Sequence, residues 1–505
     1  MGSGSLNLMV RSVGCDDVDF DPCLEKQQVI NMTDFLPNQQ STTLGRRTFL
    51  TSVGIGGAGA TLVGTSPQEG LGCSTQRAPF KLDVTIYDRP GWTSTTYGLP
   101  LMRRPDGSLV IGFQAQREDA MTDDFYSAHA EWVFVESADS GRSWQEIPLE
   151  GLPLDPRWPD RSAHCTNGWP VALPDGSLIN VVEEVFTGQQ HRERLQKLGL
   201  GHLWFEDSTF GWNLWPAGHA EQLRADGIYV FDAPGPHIPE GVVATHNRPL
   251  VSTVSRDGGR TWRERRIDGL PRYARCGGWF RGGVALEDGT VVGSITGVVK
   301  KDRGDGESLA HGAFALRSHD HGETWQLSTI ADNPNGHRAF SECNMLVLSD
   351  QRVLALVRAE DGGYLYRSVS DDGGRTWSEP KATAISGSPA NMIRLQSDRI
   401  LCVYRHVGYP AGFRGVLSED EGMTWGVDRP IIIRDDTLPG LIGYPSSVLL
   451  DDGSIFTAYN VLRAGELKPQ DNWRYKKDLL IHPPLHSYIA GSIYTEDYLQ
   501  PLGRD

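Results

Sequence analysis

The sequence predicts an all-β protein, a six-bladed β-propeller, on three observations. An octet, Ser-x-Asp-x-Gly-x-Thr/Ser-Trp, occurs five times, at Ser137–Trp144, Ser255–Trp262, Ser318–Trp325, Ser370–Trp377 and Ser418–Trp425. A second turn recurs six times, at Pro105-Asp106-Gly107, Pro174-Asp175-Gly176, Glu287-Asp288-Gly289, Ser349-Asp350-Gln351, Gln396-Ser397-Asp398 and Asp451-Asp452-Gly453. From about Phe80 onward the chain runs in short alternating apolar stretches, with no long segment of helical period. Repetition of this kind marks an array of supersecondary units, and radial stacking of four-stranded sheets is how such an array protects its strand edges.

Each element has a local reason. In the octet, Asp at the third place can bond the backbone amides that follow it, Gly at the fifth supplies a positive φ, and Trp at the eighth can pack under the loop. The six second-type turns are flanked by apolar strands such as Leu109–Phe113, Val284–Leu286, Val353–Val357 and Ile455–Ala458, which gives six hairpins and hence six blades. The octets follow the first five hairpins; the sixth lacks one, as expected where a ring closes. Phe80–Tyr87 and Tyr488–Tyr494 are the expected closing strands. The excess length between octets lies at 186–250, an insertion in the second blade that reads either as a substrate-contacting lid or as a self-packed surface loop.

The chain has 505 residues, with 48 basic against 64 acidic side chains and a formal charge of −16. That balance argues against nucleic acid as a partner, because phosphate binding needs a basic footprint. Residues 1–76 read as an address, and 77–505 as the propeller. Arg46-Arg47-Thr48-Phe49-Leu50 precedes the apolar run Val53–Val63, the pattern of a twin-arginine export signal with a core too short to span a membrane. The expected location is therefore periplasmic, membrane-anchored or secreted. Gly70-Leu71-Gly72-Cys73 resembles a lipobox, so a lipid anchor at Cys73 is an open expectation, and Met32 is a candidate initiator after an acidic stretch that does not suit a signal. Cys165, Cys276, Cys343 and Cys402 lie in the expected mature body without a CxxC pair, so no metal is expected, while export leaves room for one or two disulfides.

Registering the six hairpins against one another places side chains around the axis. The residue six before the end of each first strand is Gly98, Asn167, Phe280, Glu342, Pro389 or Tyr444; sixteen further on stand Gln114, Glu183, Thr296, Arg358, Arg405 and Asn460. Two roughly six-residue strands and a short turn bring both sets to the same end of the ring. Glu342, Tyr444, Arg358 and Arg405 thus converge on one mouth, either as a chemical constellation or as inter-blade ties. Asn167, Trp169, Trp279, Arg281, Asn344 and Asn391 are candidates by the same register to contact a ligand.

With these repeats and this register the chain resembles the sialidase (neuraminidase) superfamily, six-bladed propellers whose octets are called Asp-boxes or BNR repeats. The resemblance runs from about Phe80 to the C-terminus. It implies Glu342 and Arg358 as the catalytic Glu and an arginine of the substrate-gripping triad, and Tyr444, in Tyr444-Pro445-Ser446-Ser447, as the nucleophile. It implies Asp123 or Asp124 as the acid/base, and Arg405, or its rival Arg414, as the last triad arginine. The family's first triad arginine falls at Tyr97-Gly98-Leu99-Pro100, where Gly98 replaces it; Arg103, Arg104 and Arg117 are the candidates to reach in.

The resemblance implies a glycan partner bearing an acidic sugar, hydrolysis without metal or organic cofactor, and a phenol nucleophile. A neutral phenol avoids the repulsion that an anionic nucleophile would meet at a carbon already carrying a carboxylate. Two alternatives stay open: another carbohydrate-active propeller, such as a polysaccharide lyase, for which His164 or His406 is available as a base near the axis, or a uronic-sugar hydrolase; and a non-catalytic binding propeller.

Overall fold

The computed structural model describes residues 80–499 apart from 95–100, 105, 118–130, 149–170, 184–212, 226–240, 246–249, 258–260, 269, 271–272, 300–311, 333–338, 361–362, 409, 439–442 and 465–484. The expected export signal, Met32 and the lipobox at Cys73 lie outside the described residues.

Six antiparallel sheets form the blades of a propeller. Blades 3, 4 and 5 are up-and-down runs of four strands in chain order, for example Phe340–Val347, Val353–Ala359, Tyr364–Ser370 and Lys381–Ser386 in blade 4. In blade 1 the innermost row comes in two pieces, Trp92–Ser94 and Leu101–Arg103, both paired along Leu109–Arg117. In blade 2, Leu178–Glu183 pairs directly with Leu250–Ser255. The chain between them includes a two-stranded ribbon, Asn213–Pro216 with Val242–Thr245, and a short helix, Ala220–Ala225. Blade 6 is completed from the other end of the propeller: Lys81–Tyr87 lies antiparallel on Leu485–Tyr494, with Lys81 opposite Tyr494 and Thr85 opposite Ala490. The closing strand therefore begins at Leu485, earlier than the alternating run from Tyr488 suggests.

The core sits between blades. Strand Val353–Ala359 opens with an unbroken apolar run, Val353–Val357, because both its faces are covered there. Side chains alternate across a strand, so Val353, Ala355 and Val357 pack with Val292, Ala313 and Ala315 of blade 3, while Leu354 and Leu356 pack with Ile400, Cys402 and Val416 of blade 5. The same division recurs from blade 5 to 6 through Phe413 and Tyr459, whose rings stack at 4.8 Å, and from blade 6 to 1 through Phe456 and Val135.

The octets prove to be inter-blade devices as well as turns. Within each, the Asp carboxylate bonds the amide and hydroxyl of the residue four on: Asp372 accepts from Thr376 N at 2.9 Å and from Thr376 Oγ1 at 2.6 Å. In the four octets whose central glycine is among the described residues, Gly141, Gly322, Gly374 and Gly422, it has a positive φ and abuts the preceding blade. A Cβ on Gly374 would stand 2.8 Å from Val292, and one on Gly422 would stand 2.5 Å from Leu354. The octet Trp then seats in the same seam, Trp325 among Ile179, Leu250 and Val291, and Trp425 among Leu354, Met392 and Ile400. Cys343 and Cys402 are free thiols buried in these seams, and burial pushes the Cys343 thiol up to about 12.

Octet carboxylates hold their protons less tightly than ordinary ones. Desolvation, the largest influence on Asp139, works to raise its pKa, but bonds from Ser143, Ser137 and Arg142 N–H outweigh it and lower the value to about 2; Asp320, Asp372 and Asp420 shift in the same direction. Because these groups bind protons less readily folded than unfolded, the stability they contribute is complete above about pH 4 and is lost as pH falls toward about 2. Chemical denaturation across that range should show the midpoint dropping, and Asp372→Asn should flatten part of the drop. At the seam between blades 3 and 4, Gly282 has φ +57° and a Cβ there would lie 2.9 Å from the Asn344 Cα. Gly282→Ala should destabilise the fold by about 1–3 kcal/mol, read as a lowered denaturation midpoint.

Candidate active site

Three blades contribute side chains to one cluster. In blade 4, Ser341 pairs with Arg358 while Asn344 pairs with Leu356, so the first strand carries one residue more than its partner between those points. The extra residue makes a bulge, and Glu342 within it has φ +40°, left-handed backbone that a non-glycine residue seldom adopts. Bulges re-aim side chains, and this one accompanies a carboxylate that reaches two blades away. Tyr444 stands two residues before the first strand of blade 6, Ser446–Leu449. Its entry into that strand is held by Asn460, a fully buried amide whose oxygen accepts the Gly443 N–H and whose nitrogen donates to Ser487 Oγ at 3.1 Å.

The Tyr444 hydroxyl donates to Glu342 Oε1, across 102 residues of chain. Arg358 Nη1 donates to Glu342 Oε2 at 2.7 Å, and Arg358 Nη2 lies 3.1 Å from Glu360 Oε2. The Ser341 hydroxyl donates to Glu360 Oε1. Side-chain exposure rises from 9% at Glu342 through 18% at Arg358 to 30% at Glu360, so Glu360 is the outermost of the three. Arg405 of blade 5 anchors itself by Nε to the Ser388 carbonyl at 2.7 Å, and its charge acts on Glu360.

Electrostatics follow from these contacts. Burial on its own would lower the Arg358 pKa; the Glu342 and Glu360 carboxylates and the Glu342 hydrogen bond outweigh it, and the net shift is upward. Glu360 moves upward too. Burial is the largest cause and the Glu342 charge adds to it, against Arg358, the Ser341 hydroxyl and Arg405. A phenol hydroxyl donating to a carboxylate that a guanidinium also clamps is an arrangement through which a proton can pass from phenol to carboxylate.

Other sequence candidates stand elsewhere. Arg414 is buried at 6% exposure, and its guanidinium donates to the carbonyls of Arg434 at 2.7 Å, Pro410 at 2.9 Å and Phe413 at 3.2 Å, so it braces blade 5 from within instead of serving the mouth. Asn344 and Asn391 are inter-blade stitches: Asn344 Oδ1 accepts Met392 N–H at 2.8 Å, and Asn391 Oδ1 accepts Ser447 N–H at 2.8 Å. Arg103 pairs with Asp451 and Arg104 with Glu136 at the hairpin-turn ends of their blades, where neither replaces an arginine at the mouth. Arg117 ends its strand opposite Trp92, beyond Gln114 and exposed. Arg281 pairs in register with Ser294, and its side chain is not among those described. Asp123, Asp124, Asn167 and Gly98 lie outside the described residues. Sequence reasoning missed Glu360 and Ser341. Glu360 carried a signal, since it stands two residues past Arg358 and a strand returns to the same face at that interval.

A family model described as a BNR repeat-like domain matches residues 237–457. Among solved structures, a Dyadobacter fermentans protein of unknown function is similar at a TM-score of 0.53 and 18% identity, covering 82% of this chain and 97% of that one. A Hadza microbial sialidase is similar at 0.44 and 19%, covering 73% and 64%, and the intramolecular trans-sialidase of Ruminococcus gnavus at 0.45 and 13%, covering 80% and 96%. No curated protein matches the chain. The repeats, the six sheets and the matched domain define the class: this is a six-bladed β-propeller with a BNR repeat-like domain over residues 237–457.

Arg358→Met would leave two carboxylates facing each other with their shared cation gone. The expected cost is about 3 kcal/mol at neutral pH, smaller near pH 4 where Glu360, shifted upward, takes up a proton, measured by denaturant titration at both pH values.

Proposed function

We propose that the protein is an exo-glycosidase of sialidase type, releasing terminal acidic sugars from glycans through Tyr444 as nucleophile. The observation that carries this reading is the Tyr444 hydroxyl donating to Glu342 Oε1 while Arg358 holds the other oxygen of that carboxylate. A phenol is a weak nucleophile at its ordinary pKa and needs a base to take its proton as it attacks. Glu342 supplies the base. Arg358 fixes its orientation and stabilises the ionised carboxylate that can accept the proton.

In the first step the phenol oxygen bonds to the anomeric carbon, its proton passes to Glu342, and the leaving glycosidic oxygen takes a proton from Asp123 or Asp124. In the second, the same aspartate draws a proton from water, the water oxygen bonds to the anomeric carbon, and the phenol departs and recovers its proton from Glu342. Two displacements retain the anomeric configuration. Arg405 and Arg358 are the groups proposed to face the sugar carboxylate, as charge-assisted donors. The Arg46-Arg47 motif supports export by the twin-arginine route, so the substrate would be met outside the cytoplasm.

Fluorophore release from a sialic acid glycoside by the purified propeller tests the reading. Tyr444→Phe should abolish turnover, and Glu342→Gln should lower kcat about 10²–10⁴-fold with the fold intact by circular dichroism. Full activity in Tyr444→Phe would defeat the proposed chemistry.

A further inference from the structure

Both terminal nitrogens of Arg358 are engaged from within the chain, Nη1 by Glu342 and Nη2 by Glu360. Those two nitrogens form the fork by which a guanidinium takes a carboxylate in two parallel bonds. Glu342 has work of its own with Tyr444. Glu360 has no part in that pair, yet it is the more open of the two carboxylates, and the Ser341 hydroxyl fixes its Oε1. Among the described residues, the charged and titratable groups around it are Arg358 and Glu342 of blade 4, Arg405 of blade 5, and beyond them Tyr444 of blade 6 against the far side of Glu342. An anion held under the influence of two arginines beside the nucleophile occupies the seat in which an acidic sugar would put its own carboxylate.

We propose that Glu360 is a built-in competitor for the substrate's carboxylate: ionised, it holds the Arg358 nitrogen that an acidic sugar needs, and protonated, it releases it. The inference rests on the acidic-sugar reading above and makes the pocket selective by pH. Burial and the Glu342 charge move Glu360 above the usual carboxylate range, so it takes up a proton while a 2-keto sugar acid, made stronger by its ring oxygen, is still an anion. Below the Glu360 pKa the arginine is available and an acidic ligand binds tightly. Above it, only the protonated fraction is competent, and the apparent dissociation constant rises by up to about tenfold per pH unit.

The test is calorimetric binding of the planar unsaturated sialic acid analogue, and of its methyl ester, to the full chain between about pH 4.5 and 8. With the wild type, the acid should weaken steeply as pH rises and the ester should not. Glu360→Gln, close in shape but unable to ionise, should give a flat profile for the acid. Ser341→Ala removes a bond that favours the ionised form, so it should move the onset of weakening to higher pH, and it serves if the glutamine variant does not fold. A flat wild-type profile, or one equally steep in Glu360→Gln, overturns the competitor role while leaving the glycosidase reading in place. If the acid binds no better than the ester at any pH, and only neutral glycosides are turned over in a Tyr444-dependent way, the acidic-sugar reading falls and this inference with it.

Discussion

A strand that is apolar on both faces can be satisfied only by a neighbour on each side. Val353–Val357 shows the constraint plainly, sending its odd-numbered side chains toward blade 3 and Leu354 and Leu356 toward blade 5. An open row of such sheets would leave an apolar face bare at each end and an unpaired strand edge beside it. Blade 6 resolves this by taking Lys81–Tyr87 from one end of the propeller and Leu485–Tyr494 from the other, and by packing Phe456 and Ile493 against Leu109 and Phe113 of blade 1. The octets reinforce every seam they reach. A glycine without a Cβ lets the turn press on the preceding blade, and the tryptophan fills the space beside it.

The site is a consequence of that packing. Innermost strands of blades 4 and 5 are joined to their successors by the amides of Asn344 and Asn391, each accepting a backbone N–H of the next blade. These stitches set how the first strands stand relative to one another, and so how Tyr444 meets Glu342. The resulting cluster holds two carboxylates and two guanidiniums. Arg358 and Glu360 both move upward, for different reasons: at Glu360 burial outweighs the arginines with the Glu342 charge adding to it, and at Arg358 the two carboxylates outweigh burial.

Turn chemistry and period-2 alternation are local properties, and they made the blades legible: Asp and Gly at set places in the octets, and hairpins of even length whose ends return to the same rim. Position counting carried Glu342, Arg358, Arg405 and Tyr444 to one mouth. It did not reveal the bulge at Glu342, because an extra residue in one strand is visible only against its partner. Nor did it separate Arg414 from Arg405. The two lie on adjacent strands, but Arg414 meets the carbonyls of Pro410 and Arg434, which become neighbours only after blade 5 has formed. The register alone makes Asn344 and Asn391 candidate ligand contacts for a similar reason, since their partners belong to the following blade.

By itself, then, the chain's order of residues determined the repeating unit, the number of units and the rim on which the chemically capable side chains stand, because each of these follows from interactions between residues near in sequence. Tertiary structure decided which of those side chains touch. Whether Arg358 meets Glu360, two residues on, depends on how the strand end is turned, and whether an amide is open or already bonded across a seam depends on groups more than forty residues distant brought within hydrogen-bond range when neighbouring blades pack.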